Sequence, residues 1–418
     1  MSTQLHADIS EDTVRQIAEE YDEPDWLLET RLSALSALDD LAFPSVIKTP
    51  GRKWTNLEDL DYESLVDPLG QTAEQELVEP EGVEVLPFHE ALEEHPDLLE
   101  ERFGSVVDPE ENRLVALSTA LFTTGAVVYV PEGVDAEDVK IRTTLEGRSL
   151  FNYTLVVTEE SSSVTILERQ IEAGEVSEAR SASDASGETA SDGNRYYSGI
   201  VEVAAGENSQ VQYGALQNFD QGTYNYTLKR GVADAYATVG WIEGNLGSRL
   251  TKTTVGTRLV GEGSETKIVG AFFGHDDQHF DLDSKVWHEA AHTTADLVTR
   301  GVVDDTARSV YEGVQDVGKE AWDTSSYQRE NTLMLSDDSE ADASPKLIIN
   351  NHDTEASHSA TVGQIDQEDL FYMVSRGMDE QRAKNMLVEG FYVPVLEEVA
   401  VDELREDLQD LVAQRLRA

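Results

Sequence analysis

A mainly β chain, built as a solenoid of stacked coils with helical domains at both ends, is the fold class this sequence predicts. Three observations lead there. From about Asn112 the apolar residues recur at every second position for some two hundred residues without an intervening helical stretch. Gly206, Gly222, Gly244, Gly247, Gly261, Gly263 and Gly274 fall mostly where one strand gives way to the next. The helical period is confined to the first forty or so residues and to those after Asp366. Strands so many and so short do not fill one sandwich comfortably, which favours stacked coils. A sandwich or barrel is the alternative, because no tight repeat marks the coils.

Each element follows in order. Ser10 is placed to cap a helix whose third residue is Thr13, and Val14, Ile17 and Tyr21 recur at helical spacing until the break at 22–24. Trp26, Leu27, Arg31, Leu32, Leu35 and Leu38 make the stripe of a second helix that Pro44 closes. Pro68, Pro80, Pro87 and Pro96 punctuate short, acidic, mixed elements between 51 and 100. Strands are expected from Leu114, Ala116 and Ser118, alternating with Val115 and Leu117, through 126–130, 149–157 and 163–168 and on to about Gly313. Residues 172–193, nearly free of large apolar side chains, read as a flexible surface insertion. The last helices carry Leu370, Phe371, Val374 and Met378, then Ala383, Met386, Leu387, Phe391 and Leu396, then Leu404, Leu408, Leu411, Val412 and Leu416, an apolar face suited to docking another subunit. The expected domains are therefore 1–110, helical and mixed; 111–365, the β core; and 366–418, helical.

Composition bounds the setting. The formal net charge is -52, from 83 acidic and 31 basic residues, so phosphate-rich partners such as nucleic acid and anionic lipid would be repelled. The acid is spread along the chain, and 39% hydrophobic residues argue against disorder, which suits a halophile's cytoplasmic protein. At roughly 1 M salt the Debye length falls to about 3 Å and the self-repulsion is largely screened. There is no cysteine, which excludes disulfides, thiolate zinc and any iron–sulfur cluster held by this chain's own sulfur. The N-terminal sequence lacks a basic start and an apolar core, so no signal peptide is expected.

Two motifs invite enzymatic readings. Residues 288–292, HEAAH, match the zinc-hydrolase pattern, in which His288 and His292 would hold the metal and Glu289 would activate water from one helical turn. The flanking residues deny that helix: Phe280, Leu282, Val286 and His288 fall on one face of a two-residue period, and on a strand positions i and i+4 lie about 13 Å apart. His275, His279, His288 and His292 read instead as lining a polar stack across coils. Residues 313–320, GVQDVGKE, imitate a phosphate loop, but Glu320 stands where a hydroxyl should meet magnesium, so nucleotide hydrolysis is not expected of this chain. No catalytic triad is visible.

His358 is the remaining candidate ligand. Ser357, Ser359, Ala360 and Thr361 beside it leave its imidazole approachable, although a lone histidine more often packs in a turn. Together with the N-terminal EEYDEPDWLLETRLSALSAL, the segment from GAFFGHDDQHFDLDSKVWHEAAH to ARSVYEG, and SYQRENTLMLSDD through SHSATVGQIDQEDLFYMVSRGM to LVEGF, this region resembles the SufB/SufD family of iron–sulfur cluster assembly proteins over nearly the whole chain. SHSATVGQID and FYMVSRGM are similar to the SufD branch rather than to SufB, whose corresponding stretch carries a cysteine, a Glu-His pair and an SKI tripeptide.

The resemblance implies a right-handed β-helix and a non-catalytic scaffold role. It implies pairing with a SufB-like paralogue through the β-helix, and C-terminal helices that dock SufC, an ABC-type ATPase, with Asp366, Leu370, Phe371, Arg376, Gly377 and Phe391 as the docking residues. It also implies a transient cluster near the SufB junction with His358 as a possible ligand, no cofactor held stably by this chain alone, and in some systems a flavin. Two departures stand out. Ala356 replaces a frequent cysteine and Ser359 a glycine. Family members commonly lack the glutamate between the paired histidines, which makes the zinc motif a coincidence.

Overall fold

The computed structural model describes residues 9–50, 52–173, 194–399 and 401–416. The chain opens with α1 (Glu11–Glu20) and α2 (Asp25–Ala37), then β1 (Lys48–Thr49), β2 (Arg52–Lys53) and the single turn α3 (Tyr62–Leu65). Next come β3 (Ala73–Val78), β4 (Glu84–Pro87), α4 (Phe88–Glu94), α5 (Pro96–Arg102) and α6 (Arg113–Leu121). The solenoid strands are β5 (Thr124–Val130), β6 (Asp135–Leu145), β7 (Ser149–Thr158), β8 (Ser163–Glu172), β9 (Arg195–Ala205), β10 (Gln210–Asn218), β11 (Thr223–Ala233) and β12 (Thr238–Asn245). They continue as β13 (Leu250–Leu259), β14 (Glu265–Gly274), β15 (His279–His288), β16 (Thr294–Val303), β17 (Arg308–Val317), β18 (Thr324–Met334), β19 (Glu340–Ile349) and β20 (Thr354–Gln364). Helices α7 (Gln367–Ser375), α8 (Glu380–Leu396) and α9 (Asp402–Arg415) close the described chain.

Alternate strands go to opposite sheets. One nine-stranded sheet runs β20-β18-β16-β14-β12-β10-β8-β6-β3 and the other β19-β17-β15-β13-β11-β9-β7-β5-β4. Pairing is parallel from β5 and β6 onward, so two strands and two corners make one coil of the solenoid. Register repeats from coil to coil: Glu265 lies beside Thr294, and Thr294 beside Ser325. One corner places Ser161, Asn208, Tyr236, Gly263, His292 and Asp323 at positive φ in successive coils. Their amides bond up the stack, as Tyr236 N–H to Glu262 O (2.9 Å) and His292 N–H to Trp322 O (2.7 Å). The repeat thus resides in backbone geometry, with only one glycine among those six corners, which is why no residue-type repeat betrays it.

The inward face between the sheets buries Val139, Val164, Ile166, Val211, Tyr213, Val239, Trp241, Ile268 and Leu297 against Val128, Val156, Val203, Val255 and Val286. Full burial of each such side chain stabilises the fold by about 1.5–3 kcal/mol. Part of the charge there is paired: Lys229 Nζ donates to both Glu243 carboxylate oxygens at 3.0 and 3.1 Å, and Tyr213 OH donates to Glu168 at 3.0 Å.

At the N-terminal end, β3 and β4 pair antiparallel with β6 and β5 and finish the two sheets under α1, α2 and α4–α6. The capping expected of Ser10 is present, its Oγ accepting from Thr13 N–H at 3.2 Å. Residues 113–121, expected as strand, form α6, capped by Asn112, which accepts from the Leu114 and Val115 amides. All eight residues from Leu114 to Leu121 are buried, and a segment buried all round shows no face by which period 2 and period 3.6 can be told apart. Strands continue past Gly313 to Gln364, so His358 lies in a strand and not in the turn where a lone histidine more often packs. The insertion expected near 172–193 lies, from 174 on, outside the described residues.

The C-terminal helices turn much of their apolar stripe onto this chain. Leu404, Leu408, Val412, Val388, Tyr392 and Val395 pack with Leu167, Leu216, Ile242 and Val269 on the outer side of the sheet containing β8, β10, β12 and β14. Gly214 makes room, since a Cβ there would lie 2.4 Å from Leu404 Cδ2. Lys140 with Glu403, Arg169 with Glu403 and Asp407, and Lys267 with Glu398 pin the same helices at their margins.

A candidate site at the open end of the solenoid

The two ends of the solenoid differ. The N-terminal end is finished by antiparallel strands and helices, whereas among the described residues β19 and β20 each have one sheet neighbour, β17 and β18. Their outer edges therefore present backbone N–H and C=O groups to an incoming strand.

His358 lies on β20 and is exposed, with Ser357, Ser359, Ala360 and Thr361 exposed around it. Its position is defined by a ladder. Val139, Ile166, Tyr213, Trp241, Ile268, Leu297, Gln328 and His358 occupy equivalent places in successive strands of one sheet. Because the first six are core, His358 is an inward position of the last coil, uncovered because no further coil follows. Its inward companions are Ala356, Ala360 and Val362 on β20 and Ala341, Ala343, Pro345 and Leu347 on β19, so the face around the imidazole is apolar and mostly small.

Beneath the mouth the core turns polar. Gln315, Gln328 and Glu330 are at most 1% exposed. The Gln315 amide donates to Tyr327 O at 3.0 Å, and Thr332 Oγ1 donates to one Glu330 oxygen. Gln315 Oε1, both amide atoms of Gln328 and Glu330 Oε2 have no protein partner among the described residues. Burial pushes the Glu330 carboxyl up to about 7, against the Thr332 hydrogen bond. The sequence carries a sign of this, since Ser326, Gln328, Glu330 and Thr332 alternate as polar residues on the face that is core in earlier coils.

The zinc-hydrolase reading fails on geometry. His288 ends β15, fully buried, with Nδ1 2.8 Å from Thr293 Oγ1 and Nε2 3.1 Å from Ser326 Oγ, so both nitrogens are occupied. Glu289 has left the strand and accepts from Arg258 Nε at 2.7 Å. His292 sits in the corner at φ 61, its Nδ1 2.8 Å from Asp323. The helix that would converge them is absent, and the described residues contain no group of three or more metal-ligating side chains.

The other histidines are also separate. His279 is 3.0 Å from Thr55, and burial, with Arg308 and Lys252 nearby, pushes it down to about 3; His275 is 2.8 Å from Asp276. The glycine-lysine stretch is strand β17 and a corner, where Lys319 O accepts from Asn351 Nδ2 at 2.9 Å.

The residues expected to dock a partner fall in different settings. Asp366 caps α7, accepting from the Glu368 and Asp369 amides. Leu370 is buried within the chain's own core and holds α7 in place. Phe371 is 73% exposed, Tyr372 58% exposed, and Arg376 lies 4.8 Å over the Tyr372 ring. Gly377 ends the helix at φ +91, a left-handed turn that favours glycine. Phe391 is partly buried under the guanidinium of Arg300, 4.9 Å from its centroid.

Comparison with known proteins matches this architecture to one family. The family model described as "SUF system FeS cluster assembly, SufBD core domain" matches residues 141–391, and that of the "SufBD protein N-terminal region" matches 55–141. The iron–sulfur cluster assembly protein SufD of Bacillus subtilis is 28% identical over 456 residues, covering 100% of both chains. SufB of the same organism is 27% identical over 438 residues, covering 94% of this chain and 90% of its own. A SufBD family protein of Synechocystis is 27% identical over 451 residues, with the same coverage. A β-solenoid capped by helices, matched by the core-domain family over most of its length, makes this chain a member of the SufBD family of iron–sulfur cluster assembly proteins.

Proposed function

We propose that this chain is the cysteine-free, SufD-type scaffold of an iron–sulfur assembly complex, pairing its open end with a SufB-type solenoid and docking an ABC-type ATPase of the SufC class on α7. The observation that carries the reading is the coincidence of two unpaired sheet edges, β19 and β20, with an exposed inward-facing histidine, His358, at the same end. Strand addition by a second solenoid would continue both sheets and bring its own side chains over His358. The nascent cluster is cargo here. This chain has no thiol, so sulfur ligands come from the partner, and a neutral imidazole supplies a borderline nitrogen donor suited to iron beside thiolates.

The ATPase reading rests on α7, where Phe371, Tyr372 and Val374 are exposed while Leu370 and Met373 anchor the helix beneath. ATP-driven closure of the ATPase subunits on α7 would strain the C-terminal end of β20, because only residues 365 and 366 separate that strand from the helix. The charge of -52 suits a salt-rich cytoplasm, and no described helix is long and apolar enough to cross a membrane.

The test is reconstitution with the SufB-type and SufC-type proteins of the same organism. His358→Ala should leave the complex intact by size-exclusion chromatography and reduce cluster yield by about tenfold or more, the order seen when a metal ligand's support is lost. Undiminished cluster absorbance in a stable complex would remove His358 from the ligand set.

A further inference from the structure

His279, Arg308 and Glu340 are register partners at the first residues of β15, β17 and β19, and they form one outward column. The chain around β2 runs along that column. Thr55 Oγ1 is 3.0 Å from His279 Nε2, the Trp54 ring lies between the guanidiniums of Arg308 at 5.1 Å and Arg52 at 4.4 Å, and Arg52 pairs with Glu340. Going back from Thr55 to Trp54 to Arg52 therefore moves from β15 to β17 to β19, the last strand of its sheet among the described residues. Neighbouring strands lie roughly 4.8 Å apart and extended chain rises about 3.3 Å per residue, so the β1–β2 hairpin points past the free edge of β19. Its tip overhangs the place where a partner's first coil would continue the sheet.

The charges on the hairpin do not serve that clamp. Lys48 and Lys53 stand opposite each other in its ladder, both exposed, and like charges directly opposite destabilise a strand pair. Glu58 takes Lys53 at 2.6 Å, and Lys48 feels that carboxylate only from farther off. Residues 41–57 hold these cations and no acid, in a chain with 83 acids. We propose that the β1–β2 hairpin is an arm that grips the outer face of the SufB-type solenoid, with Lys48 and Lys53 meeting carboxylates of that partner's first coil. A partner adapted to the same salt-rich cytoplasm presents an acidic surface, and its carboxylates relieve the repulsion between the two lysines. Nucleic acid is the poorer occupant, because the rest of this chain repels phosphate. The inference rests on pairing through the open end and adds a contact outside the strand edges.

The experiment measures the Kd of the full chain for the SufB-type partner by calorimetric titration in concentrated NaCl. Kd should rise about threefold in Lys48→Glu and about tenfold or more in Lys48→Glu/Lys53→Glu, since carboxylates then face carboxylates. Arg15→Glu, an equal charge change at an exposed site on α1, should leave it unchanged. Position is read separately, because the chain has no cysteine. In the reconstituted complex, Thr49→Cys at the hairpin tip should couple to the SufB-type partner through a short thiol-to-amine cross-linker. An unchanged Kd in the double variant, with or without a loss of retention on immobilised RNA, would overturn the proposal. So would coupling of Thr49→Cys to a second copy of this chain or to the SufC-type subunit in place of the SufB-type partner. Ser359→Cys on β20 probes the strand edge itself. If it couples to the partner while Thr49→Cys does not, pairing through the open end stands and the arm alone falls; if neither couples, both fall.

Discussion

At the scale of single residues, burial sets both stability and pH response. Arg31 is fully buried and holds three carbonyls at the end of α6, those of Thr119, Ala120 and Phe122, while its Nε and Nη2 donate to Glu23 at 2.8 and 2.6 Å. Arg31→Met should cost about 3–5 kcal/mol, because it leaves the buried Glu23 carboxylate without its cation; chemical denaturation measures it. Glu202 is buried beneath the loop after α5, accepting from Val107 N–H at 2.7 Å and Gly104 N–H at 3.2 Å, and burial pushes it up to about 7. A carboxyl raised on folding holds a proton that the unfolded chain has lost. Stability therefore falls as pH rises from about 4.5 to about 7, by roughly 3 kcal/mol for this group. Glu202→Gln should flatten that slope by about one proton in denaturation curves at constant high salt; an unchanged slope would assign the titration elsewhere. His358 stands out in the sequence by its small neighbours, and these buried residues do not. Arg31 looked like one member of a helical stripe, and nothing local to Glu202 shows that a loop nearly a hundred residues away covers it.

At the scale of elements, legibility followed how many faces were buried. The one-sided helices α1 and α2 and the alternating strands announced their periods, whereas α6, buried all round, read as strand. The polar strand β20, within the β core expected to end at 365, has its inward face uncovered, so its residues carry no apolar alternation that would mark it as a strand. Packing inside the coils is tight enough to test. A Cβ on Gly301 would lie 1.8 Å from the Phe272 ring of the preceding coil, so Gly301→Ala should destabilise by about 1–3 kcal/mol, read as a lowered denaturation midpoint with an unchanged β-rich circular dichroism spectrum. Phe371, by contrast, makes few demands on the fold. Phe371→Glu should leave the melting temperature nearly unchanged and abolish co-elution with the SufC-type ATPase, and retained co-elution would move the docking surface off α7.

At the scale of the whole molecule, a solenoid with one finished and one unfinished end puts the proposed partner junction at the β19–β20 end. The family and the coil architecture were legible in the sequence, the latter because parallel strands alternate between two sheets with short corners. The direction of the open end was not, since it depends on β3 and β4 returning antiparallel to finish the other. The charge of -52 acts on the molecule as a body: stability should rise steeply between about 0.1 M and about 1 M salt, as the Debye length shrinks from roughly 10 Å to roughly 3 Å. The absence of cysteine gives a direct test of end-to-end pairing. With Ser359→Cys on β20, or Glu81→Cys near the opposite end, the chain carries one thiol at a chosen place. In the reconstituted complex, a short thiol-reactive cross-linker should join Ser359→Cys to the SufB-type partner and leave Glu81→Cys uncoupled. Cross-linking from Glu81→Cys alone would contradict pairing through the open end.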